Sequence, residues 1–441
     1  MRWPPRSAAP TASTAPLWAP ETTTRCPILL ADDPTPPSPG AHREDRPLRI
    51  VIAAETYPPE INGAGAFANR LATGLAANGH EVHVIAPSAS GIPSHDWEEG
   101  VRVHRIVSHH WPLHPTWMIC MPWETGPAVA QLLDDIRPDV LHTQAHFVIG
   151  RFAITHARRR GIPVVATNHF MPDNVRPYVR APRRVLDTAA RLAWWDLRSR
   201  FQRADHITVP TQLASDLLTE NGFDRPIEAV SCGIDLARFD GADPAPEAAS
   251  TTAPAVLFVG RLSQEKRPQD IVEALAAMDP ALGLEARIVG AGDQEEVLPQ
   301  LARDLGVGDR VKVLGKISDA QLDEEYRRAT VFCMPSTAEL QSIATLEALA
   351  SGLPVVLADA VALPHLVRDG ENGGLFRPRD AQDLARVLTR VVSASDQERR
   401  AMGAVSQEIA AHHDIRRTLA RYEEIYRSVS AGSPEAPSLQ G

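Results

Sequence analysis

Two acids, Glu339 and Glu347, are separated by seven residues in the stretch Met334-Pro-Ser-Thr-Ala-Glu339-Leu-Gln-Ser-Ile-Ala-Thr-Leu-Glu347. That spacing puts one acid in a loop and the other about two turns down the helix the loop opens. The N–H groups at such a helix start lack intrahelical partners and face an anion such as a phosphate. Glu347 is then placed to accept from a ribose diol, and Glu339 from a sugar hydroxyl. A paired-acid hydrolase holds its acids on either side of the bond it breaks, and two acids along one helix do not. A second stretch, Phe258-Val-Gly260-Arg261-Leu-Ser-Gln-Glu-Lys266-Arg267-Pro268, puts two cations just past a strand end. Arg261 and Lys266 suit a diphosphate whose charge rises as its ester bond breaks, and they can meet it without a metal. The plainer reading of this stretch is a solvated basic loop. In the third, Asn62-Gly63-Ala64-Gly65, the glycines let backbone amides approach an anion. A tight turn needing positive φ explains them equally well.

These three stretches need strand ends to hold them, and the text around them supplies strands. Leu48–Ala54 is a short apolar run, followed by a proline- and glycine-bearing loop and a helix-period stretch from Phe67 to Asn78. Strands are expected at 81–86, 101–107, 140–143, 164–167 and 206–209, with helices near 128–136, 152–160 and 212–220. The alternation restarts with strands at 255–259, 286–289, 311–314, 331–334 and 354–358. Helices are expected at 270–278, 295–304, 319–328 and 343–351, then in segments to about residue 430. Strand–helix alternation predicts parallel sheets covered on both faces, an α/β architecture of two doubly wound domains. Their ligand cleft is expected at the carboxyl ends of the strands. The domains divide as 47–239 and 255–410, joined by a small, polar, proline-bearing linker at 240–254. A helix at 411–430 is expected to pack back toward the first domain, and 431–441 reads as a tail.

The chain has 441 residues, enough for two to three domains, with 45 Lys+Arg against 55 Asp+Glu and a formal charge of −10. That acidic balance excludes general nucleic-acid binding, which needs a basic footprint. No stretch approaches 18 uninterrupted apolar residues, as a spanning helix would. Many of the 38 prolines crowd into residues 1–46, read as a disordered arm without the apolar core of a secretory signal. Cys26, Cys120, Cys232 and Cys333 are far apart with no CxxC pair, which fits a reducing cytosol rather than a metal site or disulfide framework.

Taken together, the motifs resemble the retaining glycosyltransferases of family 4, which have the GT-B fold of two Rossmann-like domains facing across a cleft. The acid–seven residues–acid marker matches Glu339 and Glu347. Gly260-Arg261 with Glu265-Lys266 matches the diphosphate stretch, and Asn62-Gly63 with Gly79-His80-Glu81-Val82 matches the N-terminal loop and helix–strand step. Val230-Ser-Cys-Gly233-Ile-Asp235 with Arg238-Phe239 matches the crossing into the linker, and Asp369-Gly-Glu-Asn-Gly373 a late loop. The likeness runs from about residue 48 to 430. It implies hexose transfer from a GDP- or UDP-sugar co-substrate with retained configuration, and no metal or resident cofactor. Arg261 and Lys266 would hold the pyrophosphate, Glu347 the ribose and Glu339 the hexose. The amides of Leu340, Gln341, Ser342 and Ile343 would line phosphate and sugar, Ile317 would belong to the donor contacts, and Gly63 would approach the distal phosphate. His169 matches a strand-end histidine that meets the donor sugar, whereas His142 and His146 read as structural. The chain departs from the pattern at Leu340-Gln341-Ser342, where many members carry a small or glycine-aromatic-glycine run, and at Cys232, where asparagine is common.

Arg176 to Arg203 holds eight arginines and two acids, with Trp194 and Trp195. On a helix, Leu186, Ala190, Ala193, Leu197 and Phe201 share one face, and Arg184, Arg191, Trp195 and Arg198 nearly the opposite one. A tryptophan in an arginine stripe suits an anionic bilayer, although a solvated helix gives the same pattern. The stretch Thr167-Asn-His-Phe-Met-Pro-Asp-Asn174 is more similar to the lipid-acceptor branch than to sucrose- or starch-making members. The expectation is a hexosyltransferase using a lipid or lipid-linked acceptor at the cytosolic membrane face. The alternatives are a soluble or polysaccharide acceptor, or a non-catalytic sugar-nucleotide-binding relative.

Overall fold

Runs such as Ile50-Val51-Ile52 carry no polar side chain, so a strand built from them must be covered on both faces. The computed structural model describes residues 46–59, 62–111, 118–171, 182–239 and 253–431. The expectations for residues 1–45, 176–181, 240–252 and 432–441 lie outside the described residues.

The first half runs β1 (Arg49–Ala53), α1 (Gly63–Ala77), β2 (Glu81–Pro87), β3 (Ser94–Glu98), β4 (Val101–Ile106), β5 (His109–His110), β6 (Met118–Ile119) and α2 (Pro122–Ile136). It continues with β7 (Val140–Thr143), α3 (Val148–Arg159), β8 (Val164–Thr167), α4 (Arg183–Phe201), β9 (His206–Val209), α5 (Gln212–Glu220) and β10 (Ile227–Ala229). Eight of these strands form one sheet in the order β10-β9-β8-β7-β1-β2-β4-β3. Its pairings are parallel except for β3 against β4.

The second half runs β11 (Ala255–Val259), α6 (Gln269–Ala277), β12 (Glu285–Val289), α7 (Val297–Asp304), β13 (Val311–Gly315), α8 (Asp319–Arg328) and β14 (Val331–Met334). Then come α9 (Ile343–Ala350), β15 (Val355–Ala358), β16 (Gly373–Phe376), α10 (Ala381–Val392), α11 (Asp396–Ala411) and α12 (Ile415–Ala431). Its six strands form a parallel sheet in the order β13-β12-β11-β14-β15-β16. Strand order reverses between β1 and β7 in one sheet and between β11 and β14 in the other. The loops leaving those strands therefore diverge and leave a crevice, the place where ligands bind in such sheets.

Helix α1 and several strands differ from the sequence expectation. Helix α1 starts at Gly63, not Phe67, because the Asn62 side chain accepts from the Gly65 amide at 2.8 Å and caps it. Gly63 and Gly65 are thus helical, and neither has the positive φ of the alternative tight-turn reading. Strands β3, β5, β6, β10 and β16 were not anticipated: β3 is a polar edge, β5 and β6 have two residues each, β10 has three, and β16 opens on two glycines.

Helix α12 buries Leu419, Tyr422, Ile425 and Tyr426 in a cluster with Ile50 and Ile52 of β1 and Phe67 and Leu71 of α1. The two helices meet at Gly74, where a Cβ would stand 2.6 Å from a Leu419 methyl. Beside the exit from β10, Ile234 bridges to Asp414, its amide donating to the His413 carbonyl at 2.8 Å. The segments leading into the second half and back from it therefore run side by side.

Candidate active site

The β11–α6 and β14–α9 loops are fastened by the Glu265 carbonyl, which accepts the Thr337 amide at 3.0 Å. That junction brings Lys266 onto Glu339, and Nζ and Oε1 form a direct ion pair. Glu339 is 5% exposed, so Lys266 is the group that compensates its burial. Arg261 stays half in solvent, its side chain 51% exposed, with a loose 3.6 Å pairing to Glu265. Next to this pair, the amides of Leu340, Gln341, Ser342 and Ile343 have no partner among the described residues. Ser342 caps α9 by accepting from the Thr345 amide, and the first turn of α9 holds no acid. A run of free donors at a helix N-terminus beside the Lys266 ammonium is an arrangement that can hold an anion.

Glu347 sits one face down α9. Tyr326 Oη lies 3.0 Å from its Oε2, and an Arg238 nitrogen 3.7 Å from its Oε1. Burial pushes the Glu347 carboxyl up, opposed by the Arg238 and Arg70 guanidiniums and the Tyr326 hydrogen bond. Arg70 comes from α1 of the other sheet, and its Nε and Nη2 are buried without a hydrogen-bond partner among the described residues. The sequence reading missed Arg70 and Tyr326. Arg70 had one signal, a charge three residues after Phe67 on the apolar face of its helix.

Across the cleft, Gly63 opens α1, and a Cβ there would meet nothing within 4 Å. The Gly63 and Ala64 amides have no partner among the described residues. His169 follows β8, its ring 5.0 Å from that of Phe67 and its Nε2 2.8 Å from Gln144 Oε1. Burial holds its pKa down at about 4, so the ring is neutral. His142 is fully buried between Tyr426 and Thr167 at 2.6 Å each. His146 is buried against the rings of Phe147, Phe170 and Phe201.

The expected residues do not all converge. Ile317 lies in the loop after β13, the edge strand two places from β11, and packs partly buried on the second core. The Gln341 side chain turns away from the donor loops, its Oε1 accepting from the Cys232 amide at 2.7 Å and its Nε2 donating to Ser231 at 3.0 Å. Leu340 packs into the first core, and its carbonyl accepts from Thr211 at 3.0 Å. Their backbone amides, not their side chains, are what the cleft can use. A cavity of about 400 Å³ against the first turns of α6 and α7 is lined by Gln264, Arg267, Gln269, Val297 and Arg379, and by neither Lys266, Glu339 nor Glu347. On α4, Trp194, Leu197 and Phe201 are buried, while Leu192 at 61% and Trp195 at 57% are exposed beside Arg184 and Arg191.

The glycosyltransferase family 4 model matches residues 61–238, and the model for glycosyl transferases group 1 matches residues 241–408. The chain is 30% identical over 366 residues to a GDP-mannose-dependent alpha-mannosyltransferase of Mycolicibacterium smegmatis, covering 82% of this chain and 92% of that one. It is 27% identical over 353 residues to an alpha-monoglucosyldiacylglycerol synthase of Acholeplasma laidlawii, covering 76% and 86%. A sucrose-phosphate synthase from Thermosynechococcus elongatus superposes with a TM-score of 0.74 at 22% identity, covering 87% of this chain and all of that one. The chain belongs to the family 4 glycosyltransferases. Its two facing parallel-sheet domains are the GT-B fold.

Proposed function

We propose that this glycosyltransferase moves a hexose, mannose or glucose, from a nucleotide-diphosphate sugar to a lipid or lipid-linked glycan, retaining the anomeric configuration. The observation that carries the reading is the Lys266–Glu339 pair set beside the unpartnered amides of residues 340–343. A diphosphate arriving there takes the α9 amides, Arg261 and Lys266, and frees Glu339 to accept from hexose hydroxyls. Glu347, already ringed by donors, holds the ribose, and the Gly63 amide meets the distal phosphate. As the C1–O bond to the diphosphate breaks, these fixed donors take up the growing charge without rearrangement. The acceptor oxygen bonds C1 on the same face, and its proton passes to the departing phosphate oxygen. Two relatives support the hexose and acceptor by name, one using GDP-mannose and the other making a glucosyldiacylglycerol.

Calorimetric titration with GDP-mannose and UDP-glucose tests the donor half and selects the base. Lys266→Ala is expected to weaken the bound donor about 10- to 100-fold, the worth of a charge-assisted hydrogen bond. Unchanged affinity in that variant overturns the site assignment.

The lipid acceptor calls for contact with a bilayer, and α4 is the surface we assign to it, at the cytosolic face. No helix among the described residues is long and apolar enough to cross a membrane. Trp195 and Leu192 between arginines suit an anionic interface. The protein is expected to sediment with phosphatidylglycerol vesicles and not with phosphatidylcholine ones. If it ignores anionic vesicles and Trp195→Ala leaves lipid-acceptor turnover unchanged, the membrane reading fails.

A further inference from the structure

A continuous run of polar contacts begins in the C-terminal helix and ends on His169. Tyr426 Oη lies 2.6 Å from His142 Nδ1, and His142 Nε2 lies 2.6 Å from Thr167 Oγ1. Thr167 Oγ1 is in turn 2.6 Å from Thr208 Oγ1 and 3.1 Å from Tyr422 Oη. Both nitrogens of His142 are thereby occupied. The Gln144 amide nitrogen rests over that ring, 3.5 and 3.4 Å from its two nitrogens, and the amide oxygen reaches His169 Nε2 at 2.8 Å. His142, Gln144, Thr167, Thr208, Tyr422 and Tyr426 are all buried.

This packing decides which way the Gln144 amide points. An N–H over the face of an imidazole is attracted to it, whereas an oxygen there would be repelled and would find no donor. The oxygen therefore faces His169, and because a carbonyl oxygen only accepts, the proton must sit on His169 Nε2. A neutral imidazole protonated at one nitrogen is an acceptor at the other. His169 Nδ1 has no partner among the described residues. Phe67, packed on the ring, keeps it from turning.

We propose that Gln144 is a positioning residue, holding His169 in the Nε2–H form so that Nδ1 accepts a hydrogen bond from a hydroxyl of the transferred hexose. The proposal rests on the reading of this cleft as a hexose-donor site. The ring is faced by Phe67 from α1 and by Gln144 and His142 from β7 and its following loop, so among the described residues no carboxylate or arginine competes for its charge. Burial alone keeps it neutral. A carboxylate at position 144 would reverse that balance, drawing a proton onto Nδ1 and ending its service as an acceptor.

The test is ¹⁵N NMR of the histidine rings together with pH profiles of hexosyl transfer, in wild type, Gln144→Glu and Gln144→Leu. Wild-type His169 is expected to show the Nε2–H tautomer. In Gln144→Glu its protonation should move up by at least about one pH unit, and the acid limb of kcat should follow. In Gln144→Leu the ring should become a tautomer mixture, with kcat/KM for the nucleotide sugar down about 10-fold. Affinity for UDP or GDP alone should stay within about twofold in both, since neither nucleotide carries the hexose. A pure Nε2–H signal in Gln144→Leu, or an unmoved protonation step in folded Gln144→Glu, overturns the proposal. Failure of the donor-site reading would look different: UDP and GDP would not bind wild type, while the tautomer signals would still report on Gln144.

Discussion

Glu55 lies just beyond β1 at the rim of the same crevice, and its carboxylate accepts the Gly150 amide at 2.9 Å in the first turn of α3. Burial pushes its pKa up from 4.5 to about 7 despite that help. Between those values the unfolded chain loses a proton that the folded chain keeps, so this group weakens the fold as pH rises from 4.5 through 7. Glu55→Gln keeps an oxygen for the amide and removes the titration. Its melting temperature should exceed that of wild type at pH 8, with the gap closing below pH 4.5 in a scanning calorimeter. At this scale the sequence was partly legible. The acid spacing and the Arg261–Lys266 pair announced themselves because each lies within one loop or helix. That Lys266 would bond Glu339, 73 residues on, depends on two loops being sewn together by one carbonyl. Gln144 offered no signal, because its role exists only once β7 and β8 are neighbours.

Elements were easiest to read where burial is symmetrical. Strands β11 and β14 are unbroken apolar runs, and β1 is one after Arg49, because parallel strands bury both faces, whereas β7 and β8 end on the polar His142, Thr143 and Thr167. The missed strand β3 is polar because its outer edge has no partner to pair with. Helix α2 was expected from Ala128, yet it starts at Pro122 and carries Pro127 within it. Pro122 at the first helical position removes little, since the first N–H groups have no intrahelical partner anyway, whereas Pro127, five residues further in, leaves the Trp123 carbonyl without its helical donor. The α1–α12 contact depends on a single missing side chain. Gly74→Leu should push Leu419 out of its seat and cost about 1–3 kcal/mol in urea denaturation, the usual toll of overpacking. Adding Leu419→Ala should recover part of that loss, so the two changes should be clearly non-additive. Gly150 is stricter, because a Cβ would fall 1.9 Å from the Ala145 carbonyl oxygen, a backbone atom that cannot swing aside.

The described residues keep several neutral histidines inside the fold. Burial lowers His142 and His104 to about 3, and His146 and His413 to about 4. Their unfolded value is 6.5, so stability is full above that pH and falls as the unfolded chain takes protons the folded one refuses. Each such group removes about 1.4 kcal/mol per pH unit between 6.5 and its folded value. Thermal melts from pH 7 to 5 should show a steep, roughly monotonic drop. A flat profile would mean that these rings protonate in place.

The return of α12 to the first sheet also has a consequence for how the chain is made. Phe67, Leu71 and Val82 leave the ribosome well before Leu419, Tyr422, Ile425 and Tyr426, which close the face they build. That face must wait, uncovered, while more than three hundred further residues are translated. At about 5–20 residues per second, the wait lasts on the order of tens of seconds. Release of a nascent chain from chaperones should therefore be timed by the emergence of α12, not by completion of the domain that helix covers.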